Sequence, residues 1–198
     1  MENPSPNMLK RTLKTEFKTV STPTIQKKPS SKKHNPLITE ECIKYLNYRI
    51  EQEEYSARVY LAMSMWLEDN GYLNAGKLWR KYSDEEMLHA NDARTYLLAM
   101  GVQPLTPSLE SPEQTFTGLP QIIEKSYEHE IEVTTQIKDL STHAIKIGDH
   151  MLYQLGLAYL KEQLEEHGKM QDLMDQLEAF GTDKIAMRLF DHELKDYL

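Results

Sequence analysis

The chain is poor in cysteine, glycine and proline, and it has no long apolar run. Its single cysteine, Cys42, excludes an internal disulfide framework and any Cys-x-x-Cys zinc or redox module. Cys42 itself reads as a small packed residue early in a helix. Mean hydropathy is −0.63, and no stretch approaches the ~20 apolar residues that a bilayer crossing needs, so no membrane association is expected. Asp and Glu outnumber Lys and Arg by 31 to 23, which excludes a generic nucleic-acid binder. With 8 Gly and 9 Pro in 198 residues, helix breakers are too sparse to interrupt long helices.

What is present divides the chain in two. Residues 1–36 hold eight basic side chains and two acidic ones, a net +6, which leaves −14 on residues 37–198 of a chain whose total is −8. The first segment also carries Pro4, Pro6, Pro23, Pro29 and Pro36 among many Ser and Thr, a composition that favours disorder over packing. Three readings stand: a solvated tail or linker, an organellar transit peptide, or a basic arm that meets nucleic acid or another acidic surface. The transit-peptide reading would make the compartment an organelle. Otherwise a cytoplasmic protein is expected.

From Leu37 the pattern is helical. Thr39 followed by Glu40 and Glu41 makes an N-cap with acids in the first turn. Ile43, Leu46, Ile50, Ala57, Leu61 and Met65 recur at helical steps, and Asp69-Asn70-Gly71 is a stop. A second helix is expected from Leu73 to Met100, a third from Leu119 to Ile147, a fourth from Asp149 to Phe180, and a short fifth from Asp183 to about Leu194, with Gly101, Gly148 and Gly181 as terminators. The segment 101–118, with Pro104, Pro107 and Pro112, is long enough to cross a domain. Short links within two helix pairs and a long link between them predict an all-α four-helix bundle with one long crossover plus a fifth C-terminal helix. The domains expected are therefore a basic extension, 1–36, and a helical domain, 37–198.

Most Glu residues on such helices face solvent, but a few are placed differently. In an antiparallel hairpin, residues equidistant from the turn lie level. Glu53 and Glu86 are equidistant from Asn70-Gly71, and Glu130 and Gln163 from the turn beside Gly148. A second regularity joins the pairs: Glu53, Glu85, Glu86 and His89, shifted by 77 residues, become Glu130, Glu162, Gln163 and Glu166. Glu86-x-x-His89 and Gln163-x-x-Glu166 each project from one helix face. Two single Glu plus two Glu-x-x-His motifs is the inward-facing pattern of di-iron and di-manganese carboxylate bundles; here the second pair is Gln-x-x-Glu. Several carboxylates buried together need cations to neutralise them. Oxygen-rich donors with one imidazole suit iron or manganese, and zinc also fits. Tyr60, two turns after Glu53, is either packing or a phenol that hydrogen-bonds a ligand or donates an electron.

At these residues the chain resembles the ferritin family, the non-haem bacterial members most. The resemblance covers 37–198 and is carried by EQEEYSARVYLAMSMW, KYSDEEMLHANDARTYL, YEHEIEVT and YLKEQLEEHGKM. It implies that Glu53, Glu86 and His89 bind one iron, that Glu86 bridges to a second iron held by Glu130, and that Gln163 is a hydrogen-bonding outer ligand. Glu85, Glu162, Glu165 and Glu166 match a third iron site, with Glu166 shared, and Tyr60 matches the tyrosine beside the centre. It implies ferroxidase activity on Fe(II) with O2 or peroxide, two irons per chain at the centre with a third site in prospect, and a ferric oxyhydroxide mineral inside a homo-oligomeric shell, a 24-mer in the family pattern. In that shell the fifth helix would line fourfold axes through Leu189, Phe190 and Leu194, and the turn at Asp149 and His150 would approach a threefold pore.

The chain departs from the family in three places. Gln163 and Glu166 stand where bacterioferritins carry a second Glu-x-x-His, so no haem is expected although Met87 follows Glu86. Ala158-Tyr159 replaces the tryptophan found before the fourth-helix motif of many bacterial members. The basic extension lies outside the usual pattern. Two other functions compete: a DNA-associating shell that uses residues 1–36, and a dimetal peroxidase or oxidase without storage, against which the absence of a four-cysteine iron module counts.

Overall fold

The computed structural model describes residues 38–198. Leu37 and the basic segment 1–36, with every expectation attached to it, lie outside the described residues. Five α-helices follow in order: α1 (Glu40–Asp69), α2 (Leu73–Ala99), α3 (Leu119–Ile147), α4 (His150–Phe180) and α5 (Lys184–Glu193), the last continued by a 3-10 turn over Leu194–Tyr197. There is no strand among the described residues, and no described helix is long and apolar enough to cross a membrane. The four-helix bundle with a long crossover and a short C-terminal helix is therefore the observed fold, and each helix ends within about two residues of its predicted limit.

The ends are set by local chemistry. Thr39 accepts a hydrogen bond from the Cys42 amide at 3.1 Å and caps α1. Asp149 accepts from the Leu152 amide at 3.0 Å and caps α4. The two caps are joined, because the Thr39 hydroxyl donates to Asp149 Oδ2 at 2.9 Å. Gly148 ends α3 with φ 71°, a left-handed conformation that side chains resist, and the amides of Gly148 and Asp149 satisfy the carbonyls of Ile145 and Ala144. Asp149 is almost wholly buried by these duties.

Neighbours in sequence pack as antiparallel hairpins, α1 with α2 and α3 with α4. Two large apolar clusters fill most of the bundle, with a small third one of Val133, Ile137 and Tyr159. One gathers Met63, Leu67, Leu78, Trp79, Leu119, Ile122, Ile123, Met170 and Leu173. The other gathers Cys42, Leu46, Ile50, Ala93, Leu97, Leu140, Ala144 and Leu152. Along α1 to α4 the predicted polar positions fall between these clusters: Glu53 after Ile50, Glu86 before Ala93, Glu130 after Ile123, Gln163 before Met170. Trp79 Nε1 donates to Ser126 Oγ at 2.9 Å and ties α2 to α3 beside that layer. The crossover is fastened at both ends, where Asn47 accepts from the Leu105 amide at 2.7 Å and Lys125 pairs with Glu113 at 2.6 Å.

The fifth helix departs from expectation in which face it commits. Phe190 and Leu194 are fully buried against their own bundle, whereas Leu189 is 57% exposed. Phe190 stacks on Phe180 with ring centroids 5.3 Å apart. The apolar stripe expected at a fourfold axis is thus spent inside the chain, because Gly181 turns α5 back onto the end of the bundle. Two polar contacts hold it there. Arg188 donates to the Gly71 carbonyl, and Asp191 accepts from the amides of Asn74 at 3.1 Å and Ala75 at 2.9 Å. Asp191 therefore caps α2, which has no side-chain cap from its own N-terminal residue Tyr72. A carboxylate there meets both the free amides and the positive end of the helix dipole. Asp191→Ala is expected to lower stability by ~1–2 kcal/mol, and a smaller loss for Asp191→Asn, which keeps an acceptor, would be visible in chemical denaturation.

Candidate metal centre

Between the two apolar clusters the bundle encloses Glu53 and Glu130, both 3% exposed or less, and Glu86 and Gln163, both 7% exposed. Apolar residues above and below exclude water, so charge here has little dielectric screening. Ligand atoms of Glu53, Glu86 and His89 lie within 4.8 Å of one another, and among the described residues no other group of three His, Cys, Asp or Glu converges so closely. His89 is half-buried, with Nδ1 3.6 Å from Glu86 Oε2.

Glu130 faces this trio from α3 with both oxygens engaged. Tyr60 Oη donates to Oε1, and Gln163 Nε2 donates to Oε2 at 2.5 Å. Tyr60 and Gln163 thus both sit beside the expected second position. The four residues of the proposed third site are less gathered. Glu85 and Glu166 approach one ammonium, Lys169 Nζ, at 3.5 Å and 2.9 Å, while Glu162 and Glu165 are exposed.

The electrostatics follow from crowding like charges out of water. Burial, with help from the Glu53 carboxylate, pushes the Glu86 pKa well above the usual carboxylate range, against the lowering effect of the neighbouring His89 imidazole. The facing Glu86 carboxylate in turn raises His89 to about 9. Burial raises Glu130, and the donors Tyr60 and Gln163 oppose the rise. Tyr60 is itself raised, by burial first and then by Glu130 and Glu86, so its phenol keeps its proton at neutral pH. The directions agree: the cluster holds protons that a bound cation would replace.

Two basic side chains at the centre were missed by sequence reasoning. Arg49 is 2% exposed; its Nε donates to Glu53 Oε1 at 2.7 Å and its Nη2 to the same oxygen. Its Nη1 donates to Gln136 on α3 at 3.1 Å. All the guanidinium contact falls on Oε1, so Glu53 Oε2 carries none of it. The signal was present, since Arg49 stands four residues before Glu53 on the same helix face, but an Arg among acids reads as a solvated pair. Lys169, three residues after Glu166, had the same disguise. A third omission is His129, whose Nε2 lies 2.7 Å from Ser56 Oγ and whose ring meets Tyr60 edge-on at 5.7 Å. Burial lowers its pKa, so a neutral imidazole backs the tyrosine.

Known proteins resemble this chain in sequence and fold. A buried carboxylate and histidine layer inside a crossover four-helix bundle defines the carboxylate-bundle class. The family model described as the Ferritin-like domain matches residues 43–180. A Campylobacter jejuni protein named bacterial non-heme ferritin is 31% identical over 160 residues, 81% of this chain and 96% of that protein. A Haemophilus influenzae protein named probable bacterial non-heme ferritin-like protein is 30% identical over 158 residues, 80% of this chain and 96% of its own length. Among solved structures, an open pore ferritin from the archaeon Archaeoglobus fulgidus superposes with a TM-score of 0.76 at 30% identity, covering 80% of this chain and 97% of that one. The chain belongs to the ferritin family.

Two outcomes are expected of the site. Metal must displace protons held by Glu86 and His89, so the affinity for Zn(II), a redox-inert probe, rises as pH is raised from 6 towards 9, and calorimetry in buffers of different ionisation enthalpy shows protons released on binding. Arg49→Met leaves Glu53 buried without its cation and costs about 3–5 kcal/mol in metal-free protein. Because a divalent ion supplies the missing positive charge, Zn(II) raises the Tm of this variant more than that of the parent chain.

Proposed function

We propose that the protein is an iron-storage ferroxidase: it oxidises Fe(II) at a paired site within each bundle and holds the product as ferric oxyhydroxide inside a shell of identical chains. The observation that carries this reading is the convergence of Glu53, Glu86 and His89, with Glu130 opposite, in a water-excluding layer between two apolar clusters. Fe(II) is the substrate. Glu53, Glu86 and His89 hold one ion, and Glu86 and Glu130 hold the other. Each Fe(II) gives up one electron. The pair together reduces O2 with two protons to hydrogen peroxide, or peroxide with two protons to water. Hard carboxylate oxygens favour Fe(III) over Fe(II) and so ease the loss of the electrons.

The neighbouring residues have roles that follow from their bonds. Gln163 and Tyr60 each donate to one oxygen of Glu130, which fixes its orientation and moderates its negative charge. Arg49 holds Glu53 by one oxygen and leaves the other for metal. Glu53 then acts as a single-oxygen ligand that does not bind the ferric product too firmly to release it. The shell, a 24-mer as in the family pattern, is part of the proposal. Its contacts at α5 would use Ile185 and Leu189, 74% and 57% exposed and one turn apart, in place of the buried Phe190 and Leu194.

The test is to load metal-free protein with Fe(II) anaerobically and admit air. A fast phase of about two irons per chain, followed by slower growth of soluble mineral, is the expected result. Glu86→Ala and His89→Ala abolish the fast phase while assembly, read by sedimentation, is unchanged. Fast oxidation surviving in both variants would overturn the assignment. A halt at about two irons, with no mineral, would mean an oxidase without storage.

A further inference from the structure

The carboxylates next to the pair are already bridged by a cation of the chain itself. Lys169 projects from α4 three residues after Glu166, on the same helix face. Its Nζ lies 2.9 Å from Glu166 Oε1 and 3.5 Å from Glu85 Oε2 on α2. Glu85 Oε2 is buried and has no hydrogen-bond partner, so the ammonium is the charge that faces it. The Tyr82 ring lies 5.9 Å below the nitrogen, within cation–π range. One cation between carboxylates of two facing helices is the geometry in which a divalent ion would bridge them. An ammonium on a four-carbon stem fills the same place at a high effective concentration, because it cannot diffuse away.

We propose that Lys169 is a tethered cation occupying the third carboxylate set, so that this chain binds two metal ions per bundle and a third enters only by displacing the lysine. The inference rests on the paired-site reading above. Ferric ions leaving the pair then have no adjacent stopping place and pass directly towards the mineral.

The test counts Zn(II) bound at equilibrium by the full chain, in the parent protein and in Lys169→Met, with Lys169→Arg and the double variant Lys169→Met/Glu166→Gln beside them. Zn(II) reports binding without oxidation. The expected result is one more ion per chain in Lys169→Met than in the parent, no increment in Lys169→Arg, and loss of the increment in the double variant. Lys169→Gln serves as a second neutral variant if the methionine disturbs folding, which circular dichroism would show. An equal count in parent and neutral variants overturns the proposal, as does an increment that survives Glu166→Gln. The baseline count and the increment are separate readings. A parent count unaffected by Glu86→Ala refutes the paired site, whereas the difference between Lys169 variants judges the tethered cation alone.

Discussion

Glu53, Glu86 and Glu130 lie together in the middle of a helical bundle, and the cost of burying them shapes what surrounds them. Three carboxylates in a dry layer cannot all carry charge without positive partners. The chain provides Arg49 for Glu53, a shared proton and His89 for Glu86, and two hydrogen-bond donors for Glu130. These partners neutralise the cluster enough for the bundle to close, yet leave Glu86 and His89 holding protons, which in the proposed function a metal ion would replace. Arg49 differs in kind, since a guanidinium cannot lose its proton and stays beside Glu53 whether or not metal is bound.

The placement of apolar residues makes this chemistry work. A hydrophobic cluster on each side of the polar layer removes bulk water from the site and strengthens every interaction within it. The ends of the bundle supply rigidity by other means. Thr39 and Asp149 link the starts of α1 and α4, and Asp191 of α5 caps α2. These contacts fix the helices along their axes, and residues level across each hairpin therefore stay level. A slip of one residue, about 1.5 Å with a rotation of about 100°, would carry Glu86 away from Glu53.

Internal cations recur at the carboxylates of this protein. Arg49 faces Glu53, and Lys169 faces Glu166 and Glu85. Both are tethered to the helix that carries the acid they neutralise, at four and three residues. A net charge of −14 on residues 37–198 thus gives a poor picture of the field inside the bundle, where several acids meet a cation of the chain itself. The exposed carboxylates that remain are free to raise the local concentration of cations near the surface.

Much of this was legible without coordinates. Helix limits followed from caps, glycines and periodicity, because these are local effects of backbone geometry. The level pairs Glu53–Glu86 and Glu130–Gln163 followed from counting outward from each turn, because helices rise at a constant rate per residue. The 77-residue offset marked the residues shared by the two hairpins. Contacts between elements distant in sequence were not legible: Tyr60 with Glu130, Lys169 with Glu85, Arg49 with Gln136, and Asp191 with the start of α2. Each depends on how one hairpin is rotated about its axis when it meets the other, and side-chain packing throughout the core sets that rotation. The direction of α5 belongs to the same class. Its amphipathic sequence offers an apolar face, but whether that face meets its own bundle or another chain depends on the turn at Gly181 and the pull of Arg188 and Asp191. The sequence by itself determined which residues could share a helix face, and only the tertiary structure decided which faces meet, because the contacts that settle it are made between side chains far apart along the chain.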